Sequence, residues 1–239
     1  MNTTIERIIP DFVESNDITG KESLILHIER YEFASKYVKP GRLLDIACGV
    51  GYGTSLLLQK RNDITEAVGV DISVEAIEYA KRNYQDKRIF FQVKDALTFE
   101  DKKGFDSIVC IETLEHIYNP DGLIERLLQM LLPNGVFIAS VPITPSVDVN
   151  PYHVNDFTEK SFKEMMKKYD LSEINCLKQI QKYKLIKTIL RKESRMTDLR
   201  RNLFYYYLKN PTAIFKRIYS TLMYGFTNQY ITIVWEKKY

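Results

Sequence analysis

Leu43-Leu44-Asp45-Ile46 is an apolar, strand-like run that leads into Ala47-Cys48-Gly49-Val50-Gly51-Tyr52-Gly53, and Thr54-Ser55-Leu56-Leu57-Leu58 then continues with helical character. That order specifies a strand–turn–helix unit whose turn lets a ligand approach bare backbone, because glycine lacks a Cβ and tolerates positive φ. A dinucleotide-binding turn would space its glycines as Gly-x-Gly-x-x-Gly. Here the third glycine comes one position early, and Asp45 stands ahead of the first. A carboxylate there opposes a pyrophosphate approaching the helix N-terminus and suits a ligand that carries positive charge.

Further strand-like runs repeat the unit. Ala67-Val68-Gly69-Val70-Asp71-Ile72-Ser73 places Asp71 22 positions after Gly49, where a carboxylate can accept from both hydroxyls of a ribose. Ile89 to Ala96 is a third run, with Asp95 near its end positioned to accept from an adenine amino group. Phe105 to Glu112 is a fourth and Gly135 to Pro142 a fifth. Helices are expected over about 21–38, 54–61, 74–83, 121–131 and 158–169, the last opened by a Thr158 cap backed by Ser161. Alternating strands and helices predict a doubly wound parallel sheet with its ligand at the carboxyl ends of the strands. At 239 residues and 45% hydrophobic content, the chain can bury one substantial core. Cys48, Cys110 and Cys176 lack paired spacing and read as thiols of a reducing compartment. The start of the chain has no apolar run suited to a secretory signal, and no segment is long and apolar enough to span a bilayer. A cytoplasmic setting is the resulting expectation.

Taken together, the glycine turn and the acids after successive strands resemble the class I S-adenosylmethionine-dependent methyltransferases, over residues 22–177 and the terminal strand. The resemblance implies a Rossmann-like sheet of seven mostly parallel strands with an antiparallel last one, here Gln229 to Glu236. It implies that Asp45, Gly49 and Gly51 line the methionine portion of the cofactor, and that Ala47, Cys48, Tyr52 and Ile72 are among its further contacts. Asp71 would hold the ribose, Asp95 and Ala96 the adenine, and the Cys110-Ile111 backbone the ammonium group. Glu22 to Gly49 also looks like a bacterial group that methylates surface glycans. In that group the helix over Glu22–Tyr37 lies across the cofactor, so Arg30 would meet its carboxylate and Tyr31 would screen the reaction chamber. A surface helix with an amphipathic stripe is the plainer reading of the same residues.

Glu112-Thr113-Leu114-Glu115-His116 follows the fourth strand, and His153 follows the fifth. Methyl transfer to a hydroxyl needs the proton removed as attack proceeds, and an imidazole titrating near pH 6.5 suits a general base. His116 could equally cap a helix. Glu112, Glu115, His116 and His153 together could hold a divalent cation such as Mg2+. Their spacing is similar to that of metal-dependent relatives, including RNA-end 2′-O-methyltransferases and ubiquinone-biosynthesis O-methyltransferases.

Charge is partitioned along the chain. Residues 178–228 carry twelve basic and two acidic residues, net +10, within a chain that is net +3, so the remainder is net −7. Aromatics interleave with that charge in Phe204-Tyr205-Tyr206-Tyr207 and Phe215-Lys216-Arg217-Ile218-Tyr219. This pattern divides the chain into an N-terminal lid (1–40), a cofactor-binding core (41–177), a basic helical insertion (178–228) and the final strand (229–239). The insertion suits anionic lipid, single-stranded nucleic acid, or the phosphates of a nucleotide-linked sugar. Packed aromatics in a homodimer interface or a lid, with solvated charges outside, would give the same pattern. The expected activity is O-methylation of a sugar in a nucleotide- or lipid-linked glycan intermediate, by a cytoplasmic enzyme that could sit against the inner face of the membrane. An RNA methyltransferase, a lipid-quinone methyltransferase and a non-catalytic cofactor-binding adaptor are the rivals.

Overall fold

The computed structural model describes residues 9–12, 18–148, 150–182, 203–225 and 227–238. After a short 3-10 turn at Pro10–Phe12, the elements are α1 (Ile18–Ser35), β1 (Gly41–Ile46), α2 (Tyr52–Lys60), β2 (Ile64–Asp71), α3 (Val74–Asn83), β3 (Ile89–Val93) and β4 (Phe105–Ile111). A 3-10 turn at Leu114–His116 precedes α4 (Pro120–Met130), β5 (Leu131–Pro142), α5 (Glu159–Met166) and β6 (Leu171–Lys182). Two more helices, α6 (Leu203–Lys209) and α7 (Pro211–Tyr224), lead into β7 (Thr227–Lys237).

Seven strands form one sheet in the order β3-β2-β1-β4-β5-β7-β6. β7 runs antiparallel to both β5 and β6, and the remaining pairings are parallel. Strand side chains alternate between faces, so Leu44, Ile46, Val68, Val70, Ile108 and Cys110 join the core beneath α4 and α5. Leu43, Ala67, Val109, Ile111 and Ile138 point the other way and pack with Tyr31, Ala34 and Leu57 of α1 and α2. Burial on both faces explains why these strands read as continuous apolar runs. The helix ends follow local chemistry: Thr158 and Ser161 form a capping box at α5, and Asn119 caps α4.

The strand order reverses between β1 and β4, which leaves a crevice at their carboxyl ends. The turn after β1 and Glu112 after β4 face each other across it. Two expectations need adjustment. β3 stops at Val93, so Asp95 lies two residues beyond the strand, in the following turn. β6 is a twelve-residue strand that continues through Lys182, so the basic segment begins on the sheet instead of beyond it. Residues 183–202 of that segment lie outside the described residues. All three cysteines are free, and no described helix is long and apolar enough to cross a membrane.

Candidate active site

The turn after β1 is held from below and from the side. Gly49 and Gly51 adopt positive φ, and Gly51 opens α2. A Cβ on Gly51 would also lie 2.6 Å from the Phe91 ring, whereas one on Gly49 would meet nothing within 4 Å. Gly49 is therefore the open surface of the turn and Gly51 its packed pivot. Asp71 accepts from the Gly49 N–H at 2.9 Å and from the Ser73 N–H at 2.8 Å, so one carboxylate ties the β1 turn to the β2 turn. Ile72, the next residue, is 70% exposed and offers an apolar face beside that carboxylate. Asp95 caps its own turn by accepting from the Leu97 N–H, and Ala96 packs against the main core.

Asp45 is placed differently from the expectation that it lines the ligand. It is fully buried beneath the turn, accepting from the Thr54 hydroxyl at 2.6 Å and the Tyr31 hydroxyl at 3.2 Å. Burial pushes its carboxyl up to about 7, against the pull of those two donors. Tyr31 packs tightly against Gly53, where a Cβ would lie 2.0 Å from the ring's Cζ, and makes an edge contact with Tyr52. Burial, and then the charge of Asp45, hold the Tyr31 phenol well above its ordinary range. Burial likewise raises the Cys48 thiol, and lifts that of Cys110 to about 12, so neither supplies a thiolate near neutral pH. Ala47 at positive φ, and the backbone N–H of Cys48 donating to Val70, complete the turn.

Across the crevice, Arg30 of α1 is 1% exposed. Its Nε donates to Gln179 Oε1 at 2.9 Å, its guanidinium lies 4.2 Å over the Tyr230 ring, and Nη1 is 3.7 Å from Glu112 Oε2. Glu112 sits at positive φ directly after Ile111, and its second oxygen accepts from the Ser140 hydroxyl at 2.7 Å. Burial together with the Glu112 charge pushes the Tyr230 phenol up to about 12. Arg30 thus has a protein carboxylate as its partner, where the sequence suggested a ligand carboxylate. Glu112 is drawn toward Arg30 and Ser140 and does not join the proposed cation ligands.

The remaining three ligands do come together. Glu115, His116 and His153 bring ligand atoms within 4.8 Å of one another. Val154 and Asn155 N–H groups donate to the Glu115 carbonyl, and Asn155 Nδ2 donates to the Leu114 and Ile117 carbonyls. Those bonds bring the loop after β5 onto the 3-10 turn after β4. The two imidazoles meet edge to face, with centroids 4.8 Å apart. His116 Nδ1 lies 3.1 Å from the Tyr152 carbonyl, which can only accept, so Nδ1 carries a proton, and Nε2 lies 3.9 Å from Glu115 Oε1. His153 Nδ1 lies 2.6 Å from the Ser146 hydroxyl. A ring N–H anchored on oxygen is the usual second contact of a metal-binding histidine, and it equally orients a general base.

Gln179, Tyr230, Thr54 and Ser140 carry no sequence signal that marks them as site residues. On β6, Gln179 and Gln181 are buried while Ile180 is 54% exposed, the inverse of ordinary alternation, because the buried face of this edge strand packs on Arg30 and α1.

Comparison with known proteins agrees with this geometry. A family model described as a methyltransferase domain matches residues 38–199. Juvenile hormone acid O-methyltransferase of Bombyx mori is 27% identical over 192 residues, 68% of this chain and 69% of that protein. The ubiquinone biosynthesis O-methyltransferase of Rickettsia typhi is 28% identical over 47% of this chain and 46% of its own length. Other curated relatives are matched over 34% to 62% of their length. An N-methyltransferase from Bradyrhizobium japonicum WM9, solved with S-adenosyl-L-homocysteine, shares the fold at a TM-score of 0.57 and 14% identity, covering 94% of this chain and 90% of that one. The glycine turn tied to Asp71, the seven-stranded sheet with one antiparallel strand, and the matched family place this chain among the class I S-adenosylmethionine-dependent methyltransferases.

Proposed function

We propose that this protein methylates a hydroxyl group, on a sugar carried by a nucleotide or a lipid. The observation that carries the hydroxyl assignment is the Glu115, His116 and His153 cluster at the carboxyl rim of β4 and β5. S-adenosylmethionine supplies an electrophilic methyl group, and the protein's work is alignment and proton removal. Gly49, Gly51 and Asp71 offer backbone and carboxylate to the cofactor, and Asp95, Ala96 and the Cys110-Ile111 backbone are the further contacts that the family resemblance implies. Tyr31 packs on Gly53 and against Tyr52, which fixes the helix side of the turn. His116, its Nδ1 proton held on the Tyr152 carbonyl, offers Nε2 to the acceptor's proton.

The donor set of the cluster also fits a divalent cation, which would supply a lowered hydroxyl pKa when bound. Two imidazoles with one carboxylate suit Mn, Co or Zn better than Mg, which prefers oxygen ligands. The sugar assignment draws support from the resemblance of residues 22–49 to surface-glycan methyltransferases and from the basic charge over 178–228, which complements a phosphate.

Transfer of tritiated methyl from S-adenosylmethionine into separated fractions of a bacterial extract, with and without EDTA, tests the reading. Label in nucleotide-sugar or glycolipid is expected. Label in RNA or quinone would overturn the acceptor. Cofactor binding with no label in any fraction would favour the adaptor role.

A further inference from the structure

α7 is built inside out. Among its described side chains, the buried ones are the small residues Ala213 and Ser220, one heptad apart, whereas Phe215 is 73% and Leu222 80% exposed. Ile214, Ile218, Tyr219 and Met223 are exposed beside them. Spacings of three and four residues gather these six side chains into one continuous stripe. Tyr205 and Leu208 of α6 are exposed as well, and Lys209 Nζ lies 4.5 Å over the Tyr205 ring. An apolar helix face of this size turned to solvent marks an interaction surface.

Charge chooses the occupant. Residues 203–225 include Lys209, Lys216 and Arg217 and no Asp or Glu. A symmetric contact with a second copy would set these like charges against each other, since the same patch meets itself. Nucleobases would call for stacked rings, but four of the six stripe residues are aliphatic. Aliphatic and aromatic side chains flanked by lysines and free of acids have the composition of a helix that lies in a membrane interface.

The position of the pair is equally specific. β7 is antiparallel, so its first residues lie beside the carboxyl end of β5, with Pro142 opposite Tyr230. α7 therefore joins the sheet at the rim that carries the site. Tyr206 of α6 donates to Asp148 at 2.8 Å, on the loop whose Ser146 contacts His153. We propose that α6 and α7 dock on an anionic lipid bilayer and hold the catalytic rim next to its surface.

Vesicle flotation of the full chain tests this, using phosphatidylcholine alone and phosphatidylcholine mixed with phosphatidylglycerol, at low and high salt. Flotation with the anionic vesicles, weakened by salt, is expected. Phe215→Ser combined with Leu222→Ser, and separately Lys209→Glu combined with Lys216→Glu, should each lower partitioning by about tenfold or more. Because these side chains are exposed, both variants should keep the wild-type melting temperature and S-adenosyl-L-homocysteine affinity, which separates lost docking from lost folding or cofactor binding. Absence of flotation, or equal flotation of the wild type and both variants, would overturn the proposal. A concentration-dependent dimer abolished by Phe215→Ser and Leu222→Ser, with no flotation, would assign the face to a second copy.

Discussion

At the residue scale, the chemistry of this chain depends on where single carboxylates end up. Asp45 and Asp71 both follow apolar runs, yet one is sealed beneath the glycine turn and the other ties that turn to its neighbour. The folded Asp45 carboxyl titrates at about 7, against about 3.9 in an unfolded chain. Its burial is therefore without charge cost below about pH 4, where both states are neutral, and carries the full cost above about pH 7. A tenfold difference in proton affinity between the two states corresponds to about 1.4 kcal/mol, so the whole difference amounts to a few kcal/mol. Asp45→Asn removes the titration, so the stability of the wild type relative to this variant should fall as pH rises from about 4 to 8, read as the difference between two denaturation series. Asp71→Ala releases the Gly49 N–H and removes a charge-assisted acceptor. We expect S-adenosyl-L-homocysteine binding to weaken by about 1.5–3 kcal/mol in calorimetry, and unchanged affinity would contradict Asp71 as a cofactor contact. The place of Asp71 at the end of β2 was legible from the apolar run before it, whereas the burial of Asp45 was not, because it depends on Tyr31 arriving from a different helix.

At the element scale, the glycine turn is shaped by the helix laid across it. Tyr31 of α1 occupies the space that a side chain at Gly53 would need, which couples the first helix to the start of α2. Gly53→Ala should cost about 1–3 kcal/mol through overpacking and should displace Tyr31 from Asp45. Thermal unfolding would read the first effect and tyrosine fluorescence the second. Elements with a strong local signal agree with the expectation: α3 spans Val74–Asn83 and α5 opens at the Thr158 capping box. On β6, polarity and burial are inverted. Its glutamines face inward onto α1 and Arg30 while Ile180 faces out, and periodicity reports a pattern of polarity without saying which side is the core. The same inversion holds on α7, whose apolar stripe turns to solvent while Ala213 and Ser220 pack inward.

At the scale of the whole molecule, the proposed proton-removing cluster depends on two neighbouring strand ends, those of β4 and β5. The loop after β5 is stitched onto the turn after β4 by the Glu115 carbonyl and Asn155, which brings together two histidines 37 residues apart. If that cluster binds a cation, chelation should lower turnover while leaving S-adenosyl-L-homocysteine affinity unchanged, and Mn2+ should restore activity more fully than Mg2+. His116→Ala and His153→Ala should likewise spare cofactor binding while lowering turnover, and equal loss of both properties would mark the cluster as structural. The sequence by itself determined the alternating α/β architecture, the glycine turn, the spacing of Asp71 and the capped helices, because periodicity and backbone freedom act within a few residues of where they are written. Only the tertiary structure decided that Asp45 lies under the turn, that Glu112 pairs with Arg30 while Glu115 joins the histidines, and that the apolar face of α7 points outward. Each of those outcomes depends on which distant element supplies the neighbour, and desolvation and partner geometry exist only once the sheet has brought those elements together.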